Sequence, residues 1–131
     1  MTAEAATTTY SIPEPFEVAL QSLRIALTGG NLRITGVLDL TGRIWRHLRV
    51  GLEPCAVLYI GPSARFLATN ALPDAAALLL PLHVVVSGRG ARTEIHVGKS
   101  PRLDDEAVMA PVRKLQAELR ESLGAIAMRL R

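Results

Sequence analysis

Two histidines flank a glycine-bearing turn, His83 in Leu82-His83-Val84-Val85-Val86 and His96 in Thr93-Glu94-Ile95-His96-Val97, with Gly88-Arg89-Gly90 between them. Two β-rich runs joined in this way predict a hairpin. With the turn centred between Arg89 and Gly90, His83 falls directly opposite His96. Leu82, Val84 and Val86 then share the other face with Thr93, Ile95 and Val97, and that aliphatic face must be the core side. Directly opposed side chains have Cβ atoms roughly 5 Å apart, near enough for two imidazoles to hold one ion. Cys55 has the strand parity of Val57 and Tyr59. With Ala56, Leu58 and Ile60 turned inward, its thiol joins the histidines on the outer face. His83, His96 and Cys55 are therefore candidate ligands for a transition metal, or for haem through an axial histidine. The plainer reading is a pair of solvated or interface histidines beside an inert cysteine, and a one-residue bulge in the turn would part the pair.

Other groups offer less chemistry. Arg43, Arg46 and Arg49 lie on one side of a short helix predicted over Arg43–Val50, whose apolar side is Ile44, Trp45 and Leu48. Such a helix could contact phosphate or an acidic partner, or simply cap the sheet. Most basic residues elsewhere alternate with acids or apolar residues, whereas nucleic-acid binders concentrate charge in a patch, so nucleic acid is not the expected partner. No Gly-x-Ser-x-Gly, phosphate-cradling glycine loop or His-Glu-x-x-His occurs. Cys55 with His47 or His83 would make a thiol nucleophile, but nothing in the sequence positions a base against the sulfur. Asp104, Asp105 and Glu106 stand where a helix N-terminus favours negative charge. No catalytic signature is present and no cofactor is specified.

The elements that must position these residues come from a globular composition. Of 131 residues, 49% are hydrophobic but only 4% aromatic, so the core must be built from Leu, Val, Ile and Ala. The formal net charge is +3, and only Lys99 and Lys114 among the 15 basic residues are lysine. The longest apolar stretch, Ala75 to Val86, is too short to cross a bilayer and contains Pro81 and His83. The N-terminal residues show no basic and apolar signal pattern. With a single cysteine no disulfide framework forms, which fits a reducing compartment, and a cytoplasmic location is expected.

Residues 1–8 read as a flexible tail and 9–131 as one domain. A short strand is expected near Thr9–Ile12. Pro13 and Pro15 then open a helix whose stripe is Phe16, Ala19, Leu20, Leu23 and Leu27, stopped by Gly29-Gly30. Asn31–Leu40 alternates, placing Leu32, Ile34, Leu38 and Leu40 on one face. Cys55–Ile60 reads as a buried strand closed by Gly61-Pro62. Ser63–Leu80 holds short helices or a loop broken by Pro73. Asp104 or Asp105 caps a long last helix with Val108, Val112, Leu115, Leu119, Leu123 and Ile126 inward, and Pro111 should kink it or mark where its regular part begins. The economical assembly is a β-α-β-β-β-β-α-like α+β sandwich, an antiparallel sheet with two long helices on one face.

In this order the chain resembles the bacterial domain of unknown function 302 family. The likeness rests on Phe16 through Leu40, on Val57-Leu58-Tyr59-Ile60-Gly61-Pro62, and on Leu80-Pro81-Leu82 before a β-run. Where the family has a Gly-Asn-Pro-like turn, this chain lacks the Asn. The resemblance implies a compact α+β domain that commonly pairs into homodimers, and it carries no activity onto any residue here. The mixed outer face, with Val57, Tyr59 and Val85 beside Arg92 and Glu94, is the expected pairing surface. The leading expectation is a small homodimeric binding or accessory domain. The rivals are a metal or haem protein and an Arg-helix nucleic-acid module.

Overall fold

The computed structural model describes residues 7–41, 53–99 and 102–130. Six strands form one antiparallel sheet: β1 (Thr7–Ile12), β2 (Leu32–Asp39), β3 (Cys55–Pro62), β4 (Leu82–Arg89), β5 (Arg92–Gly98) and β6 (Met128–Leu130), ordered β2-β3-β4-β5-β1-β6. Helix α1 (Phe16–Ala26) and the long α3 (Glu106–Ile126) pack on one face, with the short α2 (Ala64–Thr69) and a 3-10 segment (Asp74–Leu78) between β3 and β4. The expected two-layer α+β sandwich is the fold that forms. No described helix is long and apolar enough to cross a membrane.

Local chemistry sets the helix ends. Pro15, extended at φ −66 and ψ 163, precedes the first turn of α1 and supplies the rotation that turn needs. Ser63 caps α2 by accepting the Phe66 N–H, and its hydroxyl donates to the Gly30 carbonyl at 2.8 Å. Asp105 caps α3 by accepting the Ala107 N–H at 2.9 Å. Pro111 lies inside α3, buried, and the helix runs through it to Ile126. The missing proline N–H removes one ladder bond, but the apolar surface that α3 buries on both sides of it outweighs that loss.

The core is continuous from α1 to the middle strands. Leu23 of α1, Leu27 that caps it, and Leu115, Leu119 and Leu123 of α3 meet Leu58, Ile60, Val84, Val86 and Ile95, all buried. Each such side chain contributes about 1.5–3 kcal/mol relative to exposure. A second cluster joins Val108, Met109 and Val112 of α3 to Ala76 and Leu79. Glu118 then ties α3 to the α1–β2 connection, accepting the Asn31 backbone N–H at 2.9 Å and its side-chain amide at 2.8 Å.

Three details differ from the sequence pattern. First, β1 starts at Thr7 and pairs with β5 along its length, so Thr7 and Thr8 belong to the sheet rather than to a tail. Second, a bulge between Ile34 and Gly36 reverses the faces of β2. Leu32 and Ile34 face the helices, whereas Leu38 pairs with Val57 on the opposite face and Val37 with the core residue Leu58. Third, Met128–Leu130 turns back from α3 as a short edge strand on β1.

Candidate functional site

The face of the sheet opposite the helices carries the residues with chemical potential. The hairpin closes on Arg89 and Arg92, leaving a two-residue loop of Gly90 and Ala91. Gly90 takes φ +69, the sign such a loop favours at its first position. His96 consequently pairs with Val85 rather than with His83. This corrects the expected register by two residues. Because a shift of two preserves parity, both imidazoles still share the outer face, as diagonal neighbours about 7–8 Å apart. The inward set, Leu82, Val84, Val86, Thr93, Ile95 and Val97, is buried as expected. Thr93 satisfies its hydroxyl there by donating to the Glu14 carbonyl at 2.9 Å.

Pairing across all six strands arranges the outer face in rows. The central row is Leu38, Val57, Val85, His96, Thr9 and Leu130. On one side lies the row Cys55, Ser87, Glu94, Ser11 and Met128. On the other, Gly36, Tyr59 and His83 adjoin one another. The three expected metal ligands therefore occupy three different rows. Cys55 pairs with Ser87, four residues along β4 from His83, a separation of roughly 13 Å along the strand. One ion cannot bridge those two positions. Among the described residues no group of three His, Cys, Asp or Glu side chains could hold a metal ion.

Each of the three has other partners. His83 lies beside Tyr59, with ring centroids 6.4 Å apart at 43°. His96 places Nδ1 3.2 Å from Thr9 Oγ1 and Nε2 3.7 Å from Glu94 Oε1. Cys55 is a free cysteine whose sulfur lies 3.9 Å from Ser87 Oγ, and its backbone N–H donates to Thr41 Oγ1. A hydroxyl is no base for a thiol, so the nucleophile pairing with His83 is not assembled. His47, Arg43, Arg46 and Arg49 lie outside the described residues.

The feature that sequence reasoning missed is an ion-pair cluster at the hairpin end of this face. Glu94 accepts a hydrogen bond from Arg92 Nη1 at 2.6 Å, and Arg89 Nε stands 3.5 Å from its other oxygen. Arg89 also reaches Glu53 at 3.5 Å. The Arg92 hydrogen bond holds the Glu94 carboxyl below the usual carboxylate range. Desolvation opposes this, while the charges of Arg92, Arg89 and His96 act in the same sense as the hydrogen bond. Two arginines closing a tight hairpin with a Glu two residues on is the signal that could have found it.

No family model and no curated protein matches the chain. Among solved structures it is similar to the uncharacterized conserved protein DUF302 from Bacillus stearothermophilus, with a TM-score of 0.72 and 17% identity over 92% of this chain and 97% of that chain. The chain has the fold of that DUF302 protein, as the resemblance in its sequence implies.

Proposed function

We propose that the chain is a cytoplasmic, homodimeric binding or accessory domain whose open sheet face receives a second copy of itself. The observation that carries this reading is the central row of the outer face. It is apolar at Leu38, Val57 and Val85, polar at His96 and Thr9, and apolar again at Leu130. No described helix packs on it; Val57 is buried among its sheet neighbours, whereas Leu130 at the end of the row and Met128 in the next row are exposed. A row that is apolar at both ends suits an isologous two-fold contact, in which one patch meets itself.

Size and charge support the same partner. Six strands spaced about 4.8 Å apart, with about six residues each rising 3.3 Å, give a footprint on the order of 570 Å² per copy. Two copies would bury somewhat above the roughly 1,000 Å² that a specific interface requires. The cations Arg89 and Arg92 are already paired with Glu53 and Glu94, so like charges need not oppose a copy of this face. The lone free thiol of Cys55 suits a reducing compartment.

Light scattering coupled to size exclusion tests the proposal. Between about 1 and 100 µM, the range in which interfaces of this size commonly dissociate, the protein should move toward twice its 14.1 kDa chain mass. Val85→Lys, at the middle of the row, should remain at one chain mass with an unchanged far-ultraviolet spectrum. A wild-type chain that stays at one mass at the highest concentration overturns the reading, as does a Val85→Lys variant that still pairs.

A further inference from the structure

On the helix side, where β4 begins and β5 ends, a partly open cleft of about 360 Å³ lies between the sheet and the second half of α3. Its floor is apolar, made by Leu79, Leu82, Val97 and Leu119, all buried. Two different elements bring cations to its mouth. Lys99, the first residue after β5, borders the cleft next to Val97. On α3, Gln116 and Arg120 stand one turn apart and flank Leu119, so both border the same opening. Leu78, 79% exposed, forms an apolar lip.

Among the described residues no acid lines the cleft. Among the described residues neither Lys99 nor Arg120 forms an ion pair, as is true of several other surface cations. Two cations without acidic partners, beside a buried apolar floor, complement an anion with an apolar body.

We infer that this cleft binds a small amphipathic carboxylate, its head between Lys99 and Arg120 and its body against Leu79, Val97 and Leu119. The volume lies near the lower end of the roughly 300–1,000 Å³ typical of small-molecule sites. At about 30 Å³ for a water-sized group, it holds a dozen or so such groups, the size of a short-chain carboxylate. A planar guanidinium can take both oxygens of a carboxylate, while the Lys99 ammonium adds a point charge, so head-group charge should decide affinity. The floor of the cleft is on the opposite side of the sheet from the central row of the proposed pairing face, although His83 of the outer face also lines its rim.

The test compares octanoate with 1-octanol, the same chain without the charge, by titrating the isotope-labelled protein and following its amide resonances. Octanoate should shift Val97, Lys99, Leu119 and Arg120 and bind at least about tenfold tighter than octanol, the factor expected for one charge-assisted contact. A Lys99→Gln/Arg120→Gln variant should bring octanoate down to the octanol level. Arg120→Gln alone, at an exposed helix position, should lose part of the difference and guards against a double variant that folds poorly. Equal affinity for the two probes, octanoate shifts confined to other parts of the molecule, or undiminished octanoate binding in the folded double variant overturns the inference. Val85→Lys should bind octanoate as the wild type does. A dimer that ignores octanoate therefore removes only the cleft, and a monomer that binds it removes only the pairing.

Discussion

Glu94 concentrates more electrostatic interaction than any other described side chain on the outer face. Its carboxylate, 15% exposed, faces Arg92, Arg89 and His96 together. The Arg92 hydrogen bond is the largest reason that its ionised form is favoured in the folded protein. A carboxyl whose folded pKa is depressed contributes stability that is full above its unfolded pKa and is lost as pH falls through the folded value. The window is therefore acidic, at and below the ordinary carboxylate range. Arg92→Ala should move the Glu94 titration, followed by carboxyl carbon resonances, up toward that range. It should also cost less than about 1 kcal/mol at neutral pH, because Arg92 is largely exposed and solvent screens the pair. The difference in urea stability between variant and wild type should narrow as pH falls below the ordinary carboxylate range and close only once pH has passed through the depressed folded value of Glu94. A Glu94 titration that does not move in Arg92→Ala would show that desolvation or the other charges control the carboxyl.

Two glycines at the turn end of the β4–β5 hairpin do different work. Gly90 has φ +69 with open space around its missing Cβ, so its requirement is torsional. Gly88 lies inside β4, where an added Cβ would stand 2.8 Å from Pro54 Cγ, and its N–H donates to the Pro54 carbonyl at 2.7 Å. Its requirement is steric, set by the chain entering β3. Thermal unfolding should separate the two. Gly90→Ala should cost about 1 kcal/mol and Gly90→Asn less, since Asn tolerates positive φ. Gly88→Ala should cost about 1–3 kcal/mol, with no relief from Asn, because the proline ring cannot rotate away. Equal losses at the two positions would contradict this division. The same hairpin marks what was legible in the sequence. Alternating residue types fix which side of a strand faces the core, so the shared face of His83 and His96 could be read directly. Register depends on which two residues make the loop, and centring the turn between Arg89 and Gly90 or between Gly90 and Ala91 leaves the same parity, so the pairing of the histidines could not. The bulge in β2 turned Leu38 outward with no compositional mark beyond Gly36, and the three residues of β6 are too few for any periodicity to register. The shared outer face of Cys55, His83 and His96 was legible, but not the rows that separate them.

At the scale of the molecule, one layer of helices covers one side of a six-stranded sheet, and the described residues place no second layer on the other. The two proposed surfaces, the pairing face outside and the cleft within, are distinguished by mass action in one experiment. If copies associate through the central row, folding and association are linked, and the unfolding midpoint must rise with protein concentration. Each tenfold increase adds about 1.4 kcal/mol per dimer, which for a unit of two such chains is about 3 °C. Val85→Lys should abolish this slope while leaving a midpoint of its own, because the core beneath, Leu58, Val84, Val86 and Ile95, lies on the other side of the sheet and is untouched. Saturating octanoate should raise the midpoint of both proteins alike, since the cleft lies on the helix side and binds each chain separately. A wild-type midpoint that is flat with concentration would leave the open face without a second copy. A Val85→Lys slope equal to that of the wild type would place the association on another surface, most directly on the exposed edge at Met128–Leu130.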